Sequence, residues 1–359
     1  MIHPNIARLR LSSQQIQDPS LADPADVVRT LGAIQAQDYA GALWSVGLRT
    51  PAAMVTAIQE AIARRQIVRT WLLRGTLHFV AQEDIRWILS LAAPRIIAGS
   101  AGRHRQLGLS DDDFARSRQV IADEMKGGRQ LTREEIFRLL SERGVSTDGQ
   151  RGYHLLVMAG LEALICFGPN RGRQQTFVLL DDWVPETGRD PGQKEAPGWL
   201  AERYFRGHGP ATLQDFARWS GLTVSGAKAG VAAAGSRLSP VTSGGKDYFM
   251  AAAADRDPGE PAAYLLPGFD EYILGYRDRS AVLDPLVAGR TVIGGNGMML
   301  PTVVIDGIVA GTWKRSIGKQ EIAIGVNPLL PLRRVRNELV LEAAERYGKF
   351  MGMPVTVTW

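Results

Sequence analysis

The sequence predicts an α+β protein with three tandem helix–helix–hairpin units followed by a β-rich C-terminal domain. The first observation is the repeat, since two amphipathic helices and a hairpin recur at intervals of roughly 80–100 residues. The second is the turns of the three hairpins, at 72–75, 168–173 and 243–245, each of which contains glycine. The third is the change after residue 260 to short strands rich in glycine. Two helices followed by a β wing form the winged-helix pattern.

These boundaries divide the chain into four predicted domains. The first winged helix occupies residues 1–95, and a connector with the second winged helix occupies 96–185. Residues 181–197 are polar and contain three prolines, which predicts a linker. The third winged helix then covers 198–255, and a barrel-like, β-rich domain covers 260–359.

The first unit contains an unusual pair of amides, Gln35 and Gln37, within the apolar run 30–41. Pro24 suits a first helical turn, and the apolar face that follows predicts a helix reaching the glutamines. Residues 39–41 predict its end, because glycine tolerates the left-handed capping conformation. Residues two apart on a helix point to nearly opposite sides, so both amides can serve one site only at a helix end. The pair is therefore either a satisfied polar pair or part of a site.

The rest of the first unit follows the winged-helix order. Thr50 is the predicted N-cap of a second helix at 51–65. Two strands, 67–71 and 76–80, flank a short turn and predict a hairpin.

The second and third units repeat this order after a predicted connector at 94–117. Thr132 with Glu135 and Thr212 with Asp215 are capping pairs that begin helices. The other predicted elements are helices at 148–164 and 223–234 and strands at 164–166, 176–180, 238–241 and 248–251.

The C-terminal domain is predicted to be a small barrel or curled sheet with one helix. The Asp306-Gly307 pair between two apolar runs is a strong hairpin signal. Other strands are expected at 262–266, 291–293, 321–326 and 355–359, and the helix at 331–347. The glycine-rich run 294–297 lies between strands, so we predict a turn there rather than a phosphate-binding loop.

Composition favours an ordinary cytoplasmic protein. The chain has 359 residues, of which 45% are hydrophobic, and its single cysteine, Cys166, excludes internal disulfides and cysteine-rich zinc sites. Neither a signal peptide nor a membrane-spanning run is predicted. The net charge of +5 fits a polyanionic partner such as nucleic acid, and it fits a requirement for solubility equally well.

Conventional enzyme motifs are missing from the sequence. The five histidines show no metal-ligand spacing, and neither GxSxG nor a Walker motif occurs, so we predict no metal and no cofactor. Asp270, Glu271 and Asp278 cluster with tyrosines and arginines. This segment is either a salt-bridged loop or one wall of a ligand channel.

Three stretches of the sequence resemble one known family. QAQ at 35–37, RTWLLRGTLHFV at 69–80 and LLPGFDEYILGYRDR at 265–279 resemble the AlkZ/YcaQ-type winged-helix DNA glycosylases, in the branch with two glutamines. The resemblance covers essentially the whole chain. It implies a monofunctional glycosylase that removes cationic alkylated bases of the N7-alkylguanine type, including bulky adducts and interstrand crosslinks. It also implies that Gln35 and Gln37 are the catalytic residues.

The resemblance also implies that the protein binds double-stranded DNA as a monomer and does not associate with a membrane. The predicted second helices carry little consistent basic charge, so we expect an open channel that grips the DNA backbone rather than sequence readout. Gln35 and Gln37 would lie on one wall and residues 270–279 on the opposite wall. The predicted DNA contacts are Arg69, Arg74, His78, Arg151, Arg171, Arg173, Arg277 and Arg279.

Two other functions are compatible with the sequence. A non-catalytic winged-helix regulator would bind a specific DNA sequence without releasing a base. A resistance protein that sequesters a drug would bind the free small molecule in the channel. An assay for abasic sites separates both from a glycosylase.

Overall fold

The computed structural model describes residues 4–186, 190–251, 260–293, 298–329 and 334–359. Helices and strands mix along the chain, so the predicted α+β class is confirmed. The chain divides into two compact units. The first unit comprises Met1–Ala61 and Pro197–Trp359, and the second comprises Ile62–Ala196.

The N-terminal part of the first unit is helical apart from one short strand. Asp23 begins the second helix, where its carboxylate accepts a hydrogen bond from the Ala25 N–H, and Gly32 ends that helix at φ +79°. The elements are α1 (Pro4–Ser13), α2 (Pro24–Leu31), β1 (Ile34–Gln35), α3 (Tyr39–Leu48) and α4 (Val55–Ala63).

Three predictions for this part are wrong. The helix stops at Leu31 instead of reaching the glutamines, because Gly32 adopts the left-handed conformation, and Tyr39 begins a helix rather than ending one. Thr50 does not cap the next helix. Its hydroxyl donates to the Val46 carbonyl one turn back, and that next helix begins at Val55.

The second unit combines helices with a sheet. Its elements are β2 (Ile67–Trp71), β3 (Leu77–Ala81), α5 (Ile85–Gln106), α6 (Asp111–Met125), β4 (Leu131–Thr132), α7 (Arg133–Glu142), α8 (Arg151–Leu161), β5 (Ile165–Phe167), β6 (Thr176–Leu179) and α9 (Leu180–Trp183). Within this unit the strands run in the order β3-β2-β5-β6-β4, and neighbours are antiparallel. The two predicted hairpins therefore lie in one sheet. Their core is aromatic, with Phe167 5.2 Å from Trp71 and 4.6 Å from Phe177 between ring centroids.

The predicted connector is largely helical, and α9 and α10 occupy the two ends of the predicted linker. Helix α5 continues through Pro94, because Ala93, Ile96 and Ile97 on its apolar face pack into the core of the second unit. Helix α6 follows a capping box between Ser110 and Asp113 that the sequence analysis missed. The predicted capping boxes at Thr132 and Thr212 are confirmed.

The rest of the first unit holds α10 (Gly192–His208), α11 (Leu213–Ser220), α12 (Val224–Ala234), β7 (Leu238–Ser243), β8 (Lys246–Ala251), β9 (Ala263–Leu266), α13 (Glu271–Leu274), α14 (Pro285–Ala288), β10 (Val292–Ile293), β11 (Met298–Met299), β12 (Thr302–Ile305), β13 (Ile308–Ile317), β14 (Ile322–Pro328), α15 (Arg334–Met351) and β15 (Val355–Thr358). Helix α10 begins within the predicted linker at 181–197. The predicted turn at 294–297 lies outside the described residues.

The main C-terminal sheet has the strand order β15-β14-β13-β12-β9. Asp306 and Gly307 turn between β12 and β13 with φ of 52° and 84°, which confirms the predicted hairpin. In the described part of the chain this sheet is open, with β9 and β15 as its edges, so the predicted barrel does not form. No helix in the described ranges is both long and apolar enough to cross a bilayer.

Two histidines make the stability of the second unit dependent on pH. His104 and His154 pack edge to face with ring centroids 5.3 Å apart. Burial lowers the pKa of both, and the charges of His104 and Arg103 lower the pKa of His154 further. The unfolded chain therefore binds more protons, and stability falls as the pH drops through about 6.5.

We expect the thermal midpoint to be lower at about pH 5.5 than at about pH 7.5, and the difference to shrink in His154→Gln. Circular dichroism melts at the two pH values measure this. An equal drop in the wild type and the variant would contradict the role of the pair.

Candidate active site

The Gln35–Gln37 segment is not helical, since Gln35 ends β1 and Gln37 lies in a bend before α3. It lies between Gly32, where α2 has ended, and Asp38, which precedes α3. Gln35 is half-buried, Ala36 is buried and Gln37 is exposed. The helical spacing that would point the two amides to opposite sides therefore does not apply here.

A buried carboxylate holds this segment by its backbone. The Gln35 N–H donates to Glu271 Oε1 at 3.0 Å. The other oxygen, Glu271 Oε2, accepts a hydrogen bond from Trp219 Nε1 at 2.9 Å and lies 3.2 Å from His208 Nε2. The side chains of Glu271 and His208 are both inaccessible to solvent. The channel-wall expectation is therefore wrong for Glu271, because its side chain is buried and contacts the glutamine segment directly.

The helix that follows the glutamines is held by the neighbouring residue, Asp270. Its carboxylate makes a bidentate pair with Arg49 at 2.8 and 2.9 Å and accepts the Ser45 hydroxyl at 2.7 Å. Trp44 Nε1 donates to the Leu265 carbonyl. Residues 265–271 thus fasten both ends of the glutamine segment, β1 through Glu271 and α3 through Asp270. Two of the three stretches that suggested the family form one structural site.

A third buried carboxylate, Asp215, fixes the chain beyond this site. Its oxygens accept hydrogen bonds from the backbone N–H groups of Thr212, Arg277 and Asp278. Arg10 lies 3.8 Å from the same carboxylate. The Arg277 side chain is left exposed.

Asp278 and Arg279 lie next to that chain segment. Burial alone would raise the pKa of the Asp278 carboxyl, but hydrogen bonds from Lys246 and Ser280 outweigh it, and the pKa is well below its usual range. The half-buried Arg279 donates to the Ile273 carbonyl. Burial lowers its pKa, and the charge of Arg218 adds to that effect.

The remaining predicted DNA contacts lie in the second unit. Arg69 is 5% exposed and its guanidinium covers the Phe167 ring at 4.7 Å, while His78 is fully buried. Arg74 is half-buried in a turn at φ 59°. Because both side chains are buried, Arg69 and His78 are part of the packed interior of this unit.

The other three predicted contacts in the second unit, all arginines, are more accessible than Arg69 and His78. Arg151 donates to the carbonyls of Leu107 and Gly108 at the end of α5. Arg171 is exposed and pairs with Glu135 at 2.9 Å. Arg173 is exposed in the same turn. The structure thus presents Arg171 and Arg173 together on the hairpin that joins β5 and β6.

Sequence reasoning missed the support of the glutamine segment. Glu271 had been singled out only as part of an acidic cluster, and nothing in the sequence distinguished His208 or Trp219. Their partners are far away along the chain. Across the described ranges, no group of three or more His, Cys, Asp or Glu side chains could hold a metal ion.

Comparison with known proteins identifies the class of protein. The family model described as DNA glycosylase AlkZ-like matches residues 28–350. The chain therefore belongs to the AlkZ-like DNA glycosylase family, and it is a DNA glycosylase. The predicted family membership is confirmed.

The matches to individual proteins are both from Streptomyces sahachiroi. A protein named interstrand DNA cross-link repair glycosylase is 28% identical over 350 residues, which cover 92% of each chain. The solved structure of Streptomyces sahachiroi DNA glycosylase AlkZ superposes with a TM-score of 0.80 at 26% identity and covers all of both chains.

Proposed function

We propose that the enzyme hydrolyses the N-glycosidic bond of cationic alkylated bases of the N7-alkylguanine type, and that it unhooks bulky adducts and interstrand crosslinks. The observation that carries the proposal is the pair Gln35 and Gln37 in one short non-helical segment, which Glu271 holds by the Gln35 backbone. The name of the cross-link repair relative supports crosslinks as substrates.

Neutral amides suit this reaction because the leaving group needs no acid. An N7-alkylated guanine carries a positive charge, and when the bond breaks it keeps the electron pair and departs as a neutral base. A water molecule adds to C1′ and releases a proton to solvent. The amide oxygens of Gln35 and Gln37 would orient this water and stabilise the oxocarbenium-like sugar. A neutral base would not be cleaved, so the selectivity follows from the chemistry.

In this proposal the chain contains three winged helices at 1–95, 96–185 and 198–255, followed by a β-rich domain at 260–359, and a basic surface that grips the DNA backbone. The exposed arginines are its first candidates for phosphate contacts, namely Arg171, Arg173 and Arg277. The more enclosed Arg74, Arg151 and Arg279 would add to them. Arg69 and His78 would reach DNA only if binding exposed them.

Binding by phosphate contacts should depend steeply on salt and little on sequence. We expect log Kd for undamaged duplexes to change linearly with log salt, with a slope of about 0.9 per neutralised phosphate. The double variant Arg171→Gln/Arg173→Gln should lower that slope by about two and leave sequence preference unchanged. Fluorescence anisotropy over a salt series measures it. A slope equal to that of the wild type would remove these arginines from the interface.

The experiment that tests the proposed function uses a duplex with a single N7-methylguanine. Protein in excess is mixed with the duplex, and abasic sites are converted into strand breaks with hot alkali. We expect stoichiometric breakage at the lesion and none in the unmodified duplex. Tight binding to one palindromic sequence without breakage would favour a regulator. A rise in thermal midpoint with a free alkylating drug, again without breakage, would favour drug sequestration.

A further inference from the structure

We infer that Glu271 is a positioning residue for the reaction, whose buried carboxylate fixes the Gln35 backbone and so sets the direction of both amide side chains. This inference rests on the proposed function, because it takes Gln35 and Gln37 as the catalytic pair. Glu271 itself does not touch substrate, since its side chain is inaccessible to solvent. It acts through the hydrogen bond from the Gln35 N–H to Oε1.

The carboxylate is well placed to fix a backbone because its own position is fixed. Its second oxygen, Oε2, contacts the ring nitrogens of Trp219 and His208, and both rings are held by their packing. The His208 ring stacks on Tyr204 with centroids 4.7 Å apart and an interplanar angle of 14°, and the Trp219 ring lies 5.0 Å from the same tyrosine. A buried charge needs such partners, and here they also immobilise it.

Close backbone packing around the cluster leaves little room for adjustment. A Cβ on Gly275 would come within 2.6 Å of both the Glu271 carbonyl and the His208 ring. A Cβ on Gly207 would come within 2.7 Å of the Thr30 carbonyl, at the end of α2. Helix α10 therefore lies directly against the chain that leads into the glutamine segment. Glycine at these two positions therefore allows the close packing that holds the Glu271 carboxylate beside the glutamine segment.

The relative position of Glu271 and the glutamine segment matters because the proposed catalysis depends on orientation. Two neutral amides contribute nothing unless they hold water and the sugar in the reactive geometry, and a displacement of about 1 Å can cost about 10²-fold in rate. Gln35 is half-buried and Gln37 is exposed, and the path of the backbone decides where each side chain starts. A carboxylate bound to that backbone is then a determinant of rate.

Glu271→Gln tests the inference, because an amide cannot replace the carboxylate at both ends. If its oxygen faces Gln35, its NH₂ group meets the Trp219 N–H, and in the other orientation it meets the Gln35 N–H. We expect amide hydrogen exchange at Gln35 to become at least about tenfold faster, which is the effect of losing one hydrogen bond. Single-turnover excision of N7-methylguanine should slow by about 10–100-fold, with Kd for undamaged DNA unchanged within about twofold.

A matched control is Glu202→Gln on the outer part of α10. Glu202 pairs with Arg206 and Arg237 and has no contact with the glutamine segment. It should leave both the Gln35 exchange rate and the excision rate unchanged. The positioning role further predicts non-additivity, so that Glu271→Gln slows excision little further in the Gln35→Ala background.

The outcomes separate this inference from the proposed function. Faster exchange at Gln35 without any glycosylase activity in the wild type would support the contact and overturn the function. Active enzyme with wild-type exchange and rate in Glu271→Gln would overturn the inference alone. If that variant fails to fold, Glu271→Asp keeps the charge and withdraws Oε1 by one methylene. Unfolding of both variants, or wild-type behaviour of a folded Glu271→Asp, would reduce Glu271 to a structural residue and overturn the positioning role.

Discussion

Replacing Gln37 with alanine is expected to lower the single-turnover rate of base excision by about 10²–10³, the scale for losing one preorganised polar group at a reacting centre. The side chain is exposed, so the free energy of unfolding should change little. DNA affinity should also persist, because phosphate contacts supply most of it. Gln35→Ala should slow excision similarly. The measurement is rapid-quench excision of N7-methylguanine with enzyme in excess.

A matched control for this prediction is Gln214→Ala, which removes an exposed glutamine from α11. It should excise at the wild-type rate. If Gln37→Ala also did so, Gln37 would have no catalytic role. If it lost DNA binding in proportion to rate, the residue would be a binding contact instead.

Arg49→Met is expected to have the largest effect on stability. Arg49 is fully buried and its guanidinium pairs with Asp270 through two hydrogen bonds. The variant leaves the Asp270 carboxylate buried without its counter-charge, which costs about 3–5 kcal/mol. Urea unfolding followed by tryptophan fluorescence measures the change. Because this pair holds α3 beside the glutamine segment, excision should weaken as well.

The control is Arg206→Met in the same unit. Arg206 is 55% exposed and pairs with Glu202 one turn away, so its loss should cost less than about 1 kcal/mol. If both substitutions lowered the free energy of unfolding equally, the burial of the Arg49–Asp270 pair would add nothing to its contribution to stability.

Much of the fold could be predicted because its signals are local. The capping boxes at Thr132 and Thr212 place a helix start within a few residues of sequence. The Asp306-Gly307 turn needs two positive φ values, and these residues tolerate them. Such features depend on neighbours along the chain, and they are confirmed.

The errors occur where packing or a single backbone angle decides the structure. Periodicity carried the predicted helix past Gly32, although a left-handed glycine at that point turns the chain. Pro94 suggested a connector, but the apolar residues on either side pack into a core and keep the helix intact. Residue spacing alone predicts neither the backbone angle of Gly32 nor the packing around Pro94.

The site was only half predictable for the same reason. Gln35 and Gln37 could be singled out as polar residues in an apolar run. Their support could not, because Glu271 is 236 residues from Gln35 and meets it only in the folded chain. Residues 35–37 and 270–279 were expected to face each other across a channel. In the structure, Gln35 instead contacts Glu271 directly.

The most direct test of the account is the unhooking of a duplex joined by an N7-alkylguanine interstrand crosslink, followed on a denaturing gel. The wild type should release two single strands and leave an abasic site, at a rate within about tenfold of that for N7-methylguanine. The Gln35→Ala/Gln37→Ala variant should bind the crosslinked duplex and leave it joined. Unhooking by the double variant at the wild-type rate, or none by the wild type, would contradict the account.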